Sequence, residues 1–240
     1  MATCKKTLLF LCPIFPTQFK AVVNAFAPTH KIVAACHKNN SSQIRGTFDN
    51  ITVLHELPFG GFENNLVVFG NGLIQLLDML KRSGDMPDIV FVQASFGFEM
   101  LLGLLPQSVP VIGYFELWYP DSITKAVGAD ARRTMSAVHT NAIQAVLADR
   151  SAICVTPSRY QRSQFPLNIR KKMFVLHEGI DTDYFKPKAP TNQATRKLIT
   201  FVSTGLEPGK CFIQFIEIVC LVMQQRSDVD VEIVGNDVVL

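Results

Sequence analysis

Charged residues are scarce in this sequence, and neither sign dominates. They make up 18% of the 240 residues, and the formal net charge is +3. So mild a balance argues against a nucleic-acid-binding protein, which concentrates its basic residues in a patch or stripe. Long apolar runs are also missing, because none approaches the roughly 18 residues that a membrane-spanning helix needs. The hydrophobic fraction of 48% is ample for a buried core, so the composition predicts a globular protein.

Metal-binding and redox motifs are absent as well. The six cysteines contain no CxxC pair, and the five histidines form no HExxH or similar pattern. We therefore predict no metal site, and we expect free thiols and a cytoplasmic location. The N-terminal Lys5-Lys6 and the apolar residues 7–12 imitate a signal peptide, but Pro13 and Pro16 interrupt the run. No small-residue cleavage site follows, so a first buried strand is the better interpretation.

Two phosphate-binding glycine motifs are also missing. The loop after the first predicted strand, residues 12–19, contains no glycine, and this argues against an ordinary NAD-type dehydrogenase with a G-x-G-x-x-G fingerprint. Residues 204–211 are only superficially similar to a P-loop. Thr204 and Cys211 stand where a Walker A motif needs a glycine and a serine or threonine, so a P-loop NTPase is also disfavoured.

What the sequence does contain is a regular alternation of short apolar runs and helix-length segments. Continuous apolar strands that alternate with helices predict a parallel sheet buried on both faces. We expect a doubly wound, Rossmann-like α/β domain over 1–185, a linker over 186–197, and the start of a second such domain over 198–240. The predicted strands are 7–11, 31–35, 51–54, 89–92, 109–115, 153–156, 173–176, 198–204 and 229–234. The predicted helices are 17–27 with Thr17 as its cap, 65–81, 96–105, 131–148, a short one after Ser158, and 211–225.

Ligands of open parallel sheets bind beyond the carboxyl ends of the strands, so the loops at these ends hold the candidate site residues. Residues 113–120 surround Glu116 with aromatic side chains, among them Tyr119 and the only tryptophan of the chain. This pattern favours sugar recognition by Glu116 and Tyr119. The alternative is an aromatic lid that packs on the domain, with Glu116 paired to an arginine.

Three further loop positions carry groups that suit an anionic ligand. Thr17, at the predicted start of a helix, either meets a phosphate or serves only as a helix cap. Arg159 either reaches an anion or faces solvent. Lys210 precedes a helix in the second domain, where an ammonium and free amides together stabilise a diphosphate, and this is preferred to a surface lysine. The basic group at 170–172 is interpreted as a solvated turn rather than a binding patch.

An ordered set of segments resembles family 4 retaining glycosyltransferases, which have the GT-B fold, and in part a bacterial subgroup of that family. The segment that links the domains resembles the family's V-x-N/H-x-G-V/I-D…F-x-P stretch. The matching segments are Val175-Leu176-His177-Glu178-Gly179-Ile180-Asp181 with Phe185-x-Pro187, Leu206-Glu207-Pro208-x-Lys210 with Ile233-Val234-Gly235, Phe15-Pro16-x-Gln18-Phe19, Ile112-Gly113-Tyr114-Phe115-Glu116, and Ser158-x-x-Gln161-x-Ser163-Gln164-Phe165-Pro166.

The resemblance implies a division of labour between two domains, an acceptor on the N-terminal side and a nucleotide-sugar donor on the C-terminal side. No metal and no further cofactor would be needed. Carried over residue by residue, Thr17, Gln18, Gly205 and Lys210 would be donor contacts. Glu116 falls where many relatives place a histidine near the reacting sugar, and Tyr119 and Arg159 would contact the acceptor.

The sequence also departs from the family pattern. Relatives usually carry a glycine where Thr17 stands, an arginine before the Leu-Glu-Pro segment where Thr204-Gly205 stands, and a glycine at the position of Cys211. The E-x7-E segment that grips the donor in relatives has no counterpart in these 240 residues. The resemblance therefore leaves open whether this chain is catalytic by itself.

Two function classes remain. The first is transfer of a sugar from a nucleotide-sugar to a glycan or lipid-linked acceptor with retention, by a chain whose donor domain is truncated. The second is a non-catalytic glycan-binding or partner-assembly module derived from a glycosyltransferase, in which a partner chain supplies the rest of the donor domain. Peripheral membrane contact is compatible with both, and no nucleic-acid partner is expected.

Overall fold

The computed structural model describes residues 5–37, 53–57, 66–119, 131–187, 196–206 and 210–235. The chain divides into two compact units, Met1–Ile180 and Asp181–Leu240, and each is described by itself. Among the described residues, no helix combines the length and the hydrophobicity needed to cross a bilayer.

The first unit is built on a parallel sheet of seven strands in the order β3-β2-β1-β4-β5-β6-β7. The strands are β1 Thr7–Leu11, β2 Lys31–His37, β3 Val53–Leu57, β4 Ile89–Gln93, β5 Val111–Tyr114, β6 Ile153–Thr156 and β7 Met173–Val175. The helices are α1 Lys20–Phe26, α2 Leu66–Ser83, α3 Ala131–Arg150, α4 Arg159–Gln164 and α5 Leu167–Arg170, with 3-10 turns at Thr17–Phe19 and Phe98–Gly103. The predicted doubly wound parallel sheet is confirmed.

The chain order of this sheet reverses at strand β1. Leu9 is paired with Val33 of β2 on one side and with Val90 of β4 on the other. In a doubly wound sheet the crevice at such a reversal, outside the carboxyl ends of the strands, is where ligands bind. The loops that follow β1 and β4 therefore flank the expected ligand site.

Two hydrophobic cores cover the two faces of the sheet, since successive side chains of a strand point to opposite faces. Leu9, Leu11, Val90 and Val92 belong to the larger core, to which α2 and α3 also contribute. Leu8, Phe10, Phe91 and Tyr114 belong to the smaller core, to which α1 contributes. This two-sided burial is why the strands lack any polar–apolar alternation.

Gly113 allows β5 to pack closely against its neighbours. A Cβ atom at this position would lie 2.7 Å from Phe115 Cε2 and 2.7 Å from Ser151 Oγ. The glycine therefore sets how near the ring of Phe115 and the end of α3 can come to the strand.

Two local predictions were wrong. Thr17 does not cap a helix with its hydroxyl, because that hydroxyl donates to the carbonyl of Ile14 at 2.7 Å, and Thr17 has φ 24°. The segment predicted as helix 96–105 forms only the 3-10 turn Phe98–Gly103. Ser95 (φ 86°) and Gly97 (φ 84°) adopt left-handed conformations before it, so regular helical geometry cannot begin earlier.

The second unit is a small βαβ arrangement. Strand β8 (Lys197–Val202) pairs in parallel with β9 (Val229–Val234), and α6 (Phe212–Gln225) connects them. The ring of Phe201 contacts those of Phe212 and Phe215, at centroid distances of 5.4 Å and 4.8 Å. These aromatic contacts join β8 to α6.

Candidate functional site

Glu116 lies at the carboxyl edge of the sheet, two residues after β5. Its Oε1 accepts a hydrogen bond of 3.1 Å from Nε2 of Gln93, the last residue of β4. Gln93 is paired with Tyr114 in the sheet register, so the neighbouring strands β4 and β5 bring the two side chains together. Among the described side chains, a neutral amide rather than an arginine holds this carboxyl group.

A second carboxyl group, that of Glu178, comes to the same place from the segment after β7. The hydroxyl of Tyr114 donates a hydrogen bond to Oε1 of Glu178. The N–H of Leu176 donates to the carbonyl of Thr156 at 3.0 Å, which continues the strand alignment and directs the segment toward β5. Tyr114, Glu116 and Glu178, together with Gln93, form the group that we call the edge carboxyl cluster.

The charge of Glu178 acts on the carboxyl group of Glu116. Burial raises the pKa of Glu116, the negative charge of Glu178 raises it further, and the hydrogen bond from Gln93 opposes both effects. Burial also raises the pKa of Tyr114, with the hydrogen bond to Glu178 and the charges of both glutamates acting in the same direction. Tyr114 is therefore a phenol donor at neutral pH, and the cluster presents acceptor oxygens suited to the hydroxyl groups of a sugar.

The loop that carries Glu116 is held on α3. Asn141 accepts from the N–H of Tyr119 at 3.1 Å and donates to its carbonyl at 2.8 Å, and Gln144 donates to the carbonyl of Leu117 at 2.8 Å. The ring of Trp118 packs on Phe165 at 5.5 Å. The tryptophan is thus an anchor of the loop, while Tyr119 is half-buried beside it.

Gln18 lies at a cavity of about 370 Å³ that also reaches the edge carboxyl cluster. Tyr114, His177 and Glu178 line this cavity, together with apolar side chains of α1 and of β4 to β6. Oε1 of Gln18 is buried and has no hydrogen-bond partner within the described part of the chain. Of the predicted pair, Gln18 therefore faces a cavity, whereas the hydroxyl of Thr17 is occupied by its own loop.

Arg159 does not belong to this cavity. Arg159 is exposed and lines a different groove, formed by α4 and α5. Gly205 and Lys210 belong to the second unit. Gly205 is buried, and its N–H donates to Oγ of Ser203 at 3.4 Å. Lys210 is exposed just before α6, and residues 207–209, which the family pattern includes, lie outside the described residues.

Sequence reasoning missed the partners of Glu116. Gln93 directly follows the predicted strand 89–92, and Glu178 lies inside the segment already noted for its resemblance, but neither was assigned a role. Tyr114 and Glu178 are 64 positions apart in sequence, and no local pattern predicts that contact. The one available signal was the predicted topology. These residues lie at or after the carboxyl ends of parallel strands, and such ends meet at one edge of the sheet.

Glu99 is a further buried acid near this edge, and it was also missed. Its Oε1 accepts from the N–H of Ser95 at 2.5 Å, in the left-handed turn after β4. Burial raises its pKa from 4.5 to about 7, although hydrogen bonds from the backbone of this turn oppose the shift. Glu99 thus fixes the turn at the point where the strand order reverses.

The comparison with protein families bears directly on this arrangement. Residues 49–185, more than half of the chain, match the glycosyl transferase family 4 group. The chain belongs to this family. The matched range holds Gln93, Glu116 and Glu178, so this family 4 member has its edge carboxyl cluster inside the part that defines the family.

Solved structures show the same fold at low sequence identity. A UDP-N-acetylglucosamine 2-epimerase from Rickettsia bellii is 10% identical, with a TM-score of 0.54 over 98% of this chain and 63% of that one. A UDP-GlcNAc 2-epimerase from Neisseria meningitidis, bound to UDP-GlcNAc, is 15% identical, with a TM-score of 0.52 over 93% and 71%. The calicheamicin glycosyltransferase CalG4 is 10% identical, with a TM-score of 0.53 over 98% and 66%. These likenesses confirm the GT-B type of fold.

The family 4 chain spans 63% of the length of the first structures that it resembles. No curated protein matches it significantly.

Glu99→Gln is expected to change the pH dependence of stability. Because the folded carboxyl group has a pKa of about 7 against 4.5, the folded state binds the proton more tightly. The contribution of the Glu99 carboxyl group to the free energy of unfolding is on the order of 3 kcal/mol. It is fully present below about pH 4.5 and is lost as the pH rises through about 7. The glutamine keeps an acceptor for Ser95 but does not titrate. Urea unfolding near pH 5 and pH 8 should show a smaller difference for the variant, whereas the exposed control Asp78→Asn should behave as the parent. An equal difference in Glu99→Gln and the parent would contradict this role.

Glu178→Gln is expected to lower the pKa of Glu116 without bringing it to the ordinary value of 4.5, since burial, the larger cause, remains. A ¹³C NMR titration of the side-chain carboxyl groups measures this directly and needs no substrate. Asp149→Asn, an exposed change on α3, serves as the control. An unchanged midpoint for Glu116 would show that the two carboxyl groups do not interact.

Proposed function

We propose that this chain forms the acceptor side and the first part of the donor side of a retaining glycosyltransferase that uses a nucleotide-sugar. The observation that carries the proposal is the edge carboxyl cluster, set at the strand ends of a family 4 chain. Two solved structures of the same fold support it, the Neisseria meningitidis epimerase bound to UDP-GlcNAc and the glycosyltransferase CalG4.

In the proposed reaction the bond between the anomeric carbon and the donor phosphate oxygen breaks, and the nucleoside diphosphate leaves with the electron pair. The acceptor hydroxyl oxygen forms the new bond to the same carbon, and its proton passes to the departing phosphate. Glu116, held by Gln93, accepts hydrogen bonds from the hydroxyl groups of the reacting sugar. Oriented acceptors of this kind contribute by fixing the reacting atoms. Tyr119 and Arg159 are the acceptor contacts in this proposal.

Positive charge stabilises the negative charge of the leaving diphosphate, and in this proposal Lys210 supplies it. The lysine lies two residues before Phe212, the first residue of α6, a helix of 14 residues. The first N–H groups of this helix add the partial positive charge of a helix N-terminus. Gly205, Thr17 and Gln18 are the remaining donor contacts. Electrostatic stabilisation of this kind acts where charge develops in the transition state, and the proposal requires no metal ion.

Lys210→Ala is expected to reduce transfer by on the order of 10²–10³, by analogy with the removal of one oxyanion donor. Transfer and donor hydrolysis are measured with UDP-, GDP- and ADP-sugars, and donor binding is followed by saturation-transfer NMR. Lys197→Ala, an exposed lysine of β8 in the same unit, is the matched control. Turnover that survives Lys210→Ala would refute the role of this residue, and the absence of binding to every donor would refute the function.

A second candidate, a partner-assembly module, is favoured by the apolar surface of the second unit. Leu198, Val202, Ile218 and Leu221 are each more than half exposed. Within the part of the chain that the structure describes, β8 and β9 pair only with each other. A two-stranded sheet with exposed apolar side chains invites pairing with another chain.

Light scattering coupled to size exclusion separates the two candidates. Assembly through this surface predicts a mass above that of the monomer, which Val202→Lys with Leu221→Ser should return to the monomer value. Val146→Ser, at an exposed position of α3 in the first unit, is the control. A clean monomer that binds no glycan would count against the module.

A further inference from the structure

A cationic groove lies at the β7 end of the sheet, apart from the edge carboxyl cluster. Arg159 and Arg162 of α4, Arg170 of α5 and the following Lys171 line a cavity of about 430 Å³. Ser163, Leu167 and Val175 complete its walls. Of the residues that the structure describes, no carboxylate lines this groove, so four like charges converge on one space.

Two of the four cations are fixed by the protein backbone. Nε and Nη2 of Arg162 donate to the carbonyl of Arg170, at 3.3 Å and 3.2 Å. Nη1 of Arg170 donates to the carbonyl of Ser163 at 3.3 Å. These bonds hold α4 and α5 together and leave each guanidinium with further N–H donors.

The other two cations are available to a ligand. Arg159 and Lys171 are exposed, and within the described ranges neither side chain has a hydrogen bond or an ion pair. None of the four cations pairs with a carboxylate of a described residue either. Since nothing described in the chain neutralises this charge, an external anion would be stabilised by all four groups.

Apolar side chains stand beside these cations. Leu167 lines the groove and is 57% exposed, and Tyr160 on α4 is 74% exposed. A soluble phosphate ester would contact the cations and leave the leucine and tyrosine side chains exposed to water. At a membrane interface, apolar side chains enter the lipid layer while arginine and lysine contact the lipid phosphates.

We propose that this surface, formed by Arg159, Tyr160, Arg162, Leu167, Arg170 and Lys171, docks on a bilayer that contains anionic phospholipids. The sequence alone favoured a solvated turn for residues 170–172. The structure changes that interpretation because the α4–α5 turn brings Arg170 and Lys171 beside the arginines of α4. The proposal does not depend on catalysis, so it can fail or hold whatever the fate of the proposed transfer reaction.

The test is co-sedimentation with vesicles of phosphatidylcholine alone and of phosphatidylcholine with phosphatidylglycerol. We expect binding only to the anionic vesicles, and weaker binding at higher salt. Arg159→Gln with Lys171→Gln should reduce the association constant roughly 25-fold, about fivefold for each cation. Lys20→Gln with Lys81→Gln removes the same charge from exposed positions elsewhere in the first unit, and it should retain most of the binding. Leu167→Ser should weaken binding that persists at high salt.

Three outcomes would overturn the proposal. They are no binding to anionic vesicles, equal binding to both vesicle types, and equal losses in the groove and control pairs. The alternative is that the groove binds a soluble phosphate compound. An NMR titration with inorganic diphosphate, followed at the side-chain N–H of Arg159, tests this alternative. Saturable diphosphate binding without vesicle binding would overturn bilayer docking and reassign the groove to a soluble phosphate compound. Circular dichroism of each variant confirms that the fold is retained.

Discussion

The parallel pairing of β1 with both β2 and β4 is the contact on which the rest of the first unit depends. It buries Thr7–Leu11 on both faces, which explains why this segment is uniformly apolar. It also reverses the direction in which strands are added to the sheet, so the loops after β1 and β4 diverge and leave a crevice at the carboxyl edge. Gln93, Glu116 and Glu178 come together only because each lies at, or shortly after, the end of a parallel strand of this sheet. The site is thus a consequence of topology, and any chain change that shifted β4 relative to β1 would move the cluster as a whole.

Lys31 pairs with Asp85 in the first unit, but Glu99 and Glu116 and the cations of α4 and α5 lie in separate places. At the strand ends, Glu99 and Glu116 are held by neutral donors, namely backbone N–H groups and the amide of Gln93. Neutral partners offset burial only in part, so both pKa values are raised. The cations of α4 and α5 lie at the flank of the sheet instead, beside other cations. An arginine next to Glu116 would have lowered the pKa of that carboxyl group and occupied its oxygens. Among the described residues no arginine donates to Glu116, and in the proposed function its free acceptor oxygens receive the hydroxyl groups of a sugar.

Local patterns predicted the elements, and long-range contacts decided the site. Thr7–Leu11, Ile153–Thr156 and Val229–Val234 were predicted with the bounds that the structure has. The first two are short, mainly apolar runs between polar or turn residues, and the third alternates β-branched residues with Asp230 and Glu232. Ser158 caps α4 as expected, since its hydroxyl accepts from the N–H of Gln161 at 3.1 Å. One error arose where a side chain had two possible partners, because the hydroxyl of Thr17 bonds to Ile14 rather than to a helix. The other arose from the left-handed conformations of Ser95 and Gly97. Glu178 could not be assigned to Tyr114 from sequence, because nothing local specifies a hydrogen bond across 64 positions.

Cys211 shows how a departure from the family pattern can leave the fold unchanged. Relatives usually have a glycine after the lysine that corresponds to Lys210, and here the cysteine adopts φ 60°, in the left-handed region that glycine favours. Such a conformation costs a non-glycine residue of order 1–3 kcal/mol, yet α6 still begins at the next residue. The backbone geometry of the helix start is therefore retained at the expense of strain. The difference from glycine is steric. The Cβ and thiol of Cys211 occupy space beside the first turn of α6 that a glycine would leave open. In the proposed donor site, this bears on how closely a phosphate can approach the first amides of α6, which is a matter of affinity and not of folding.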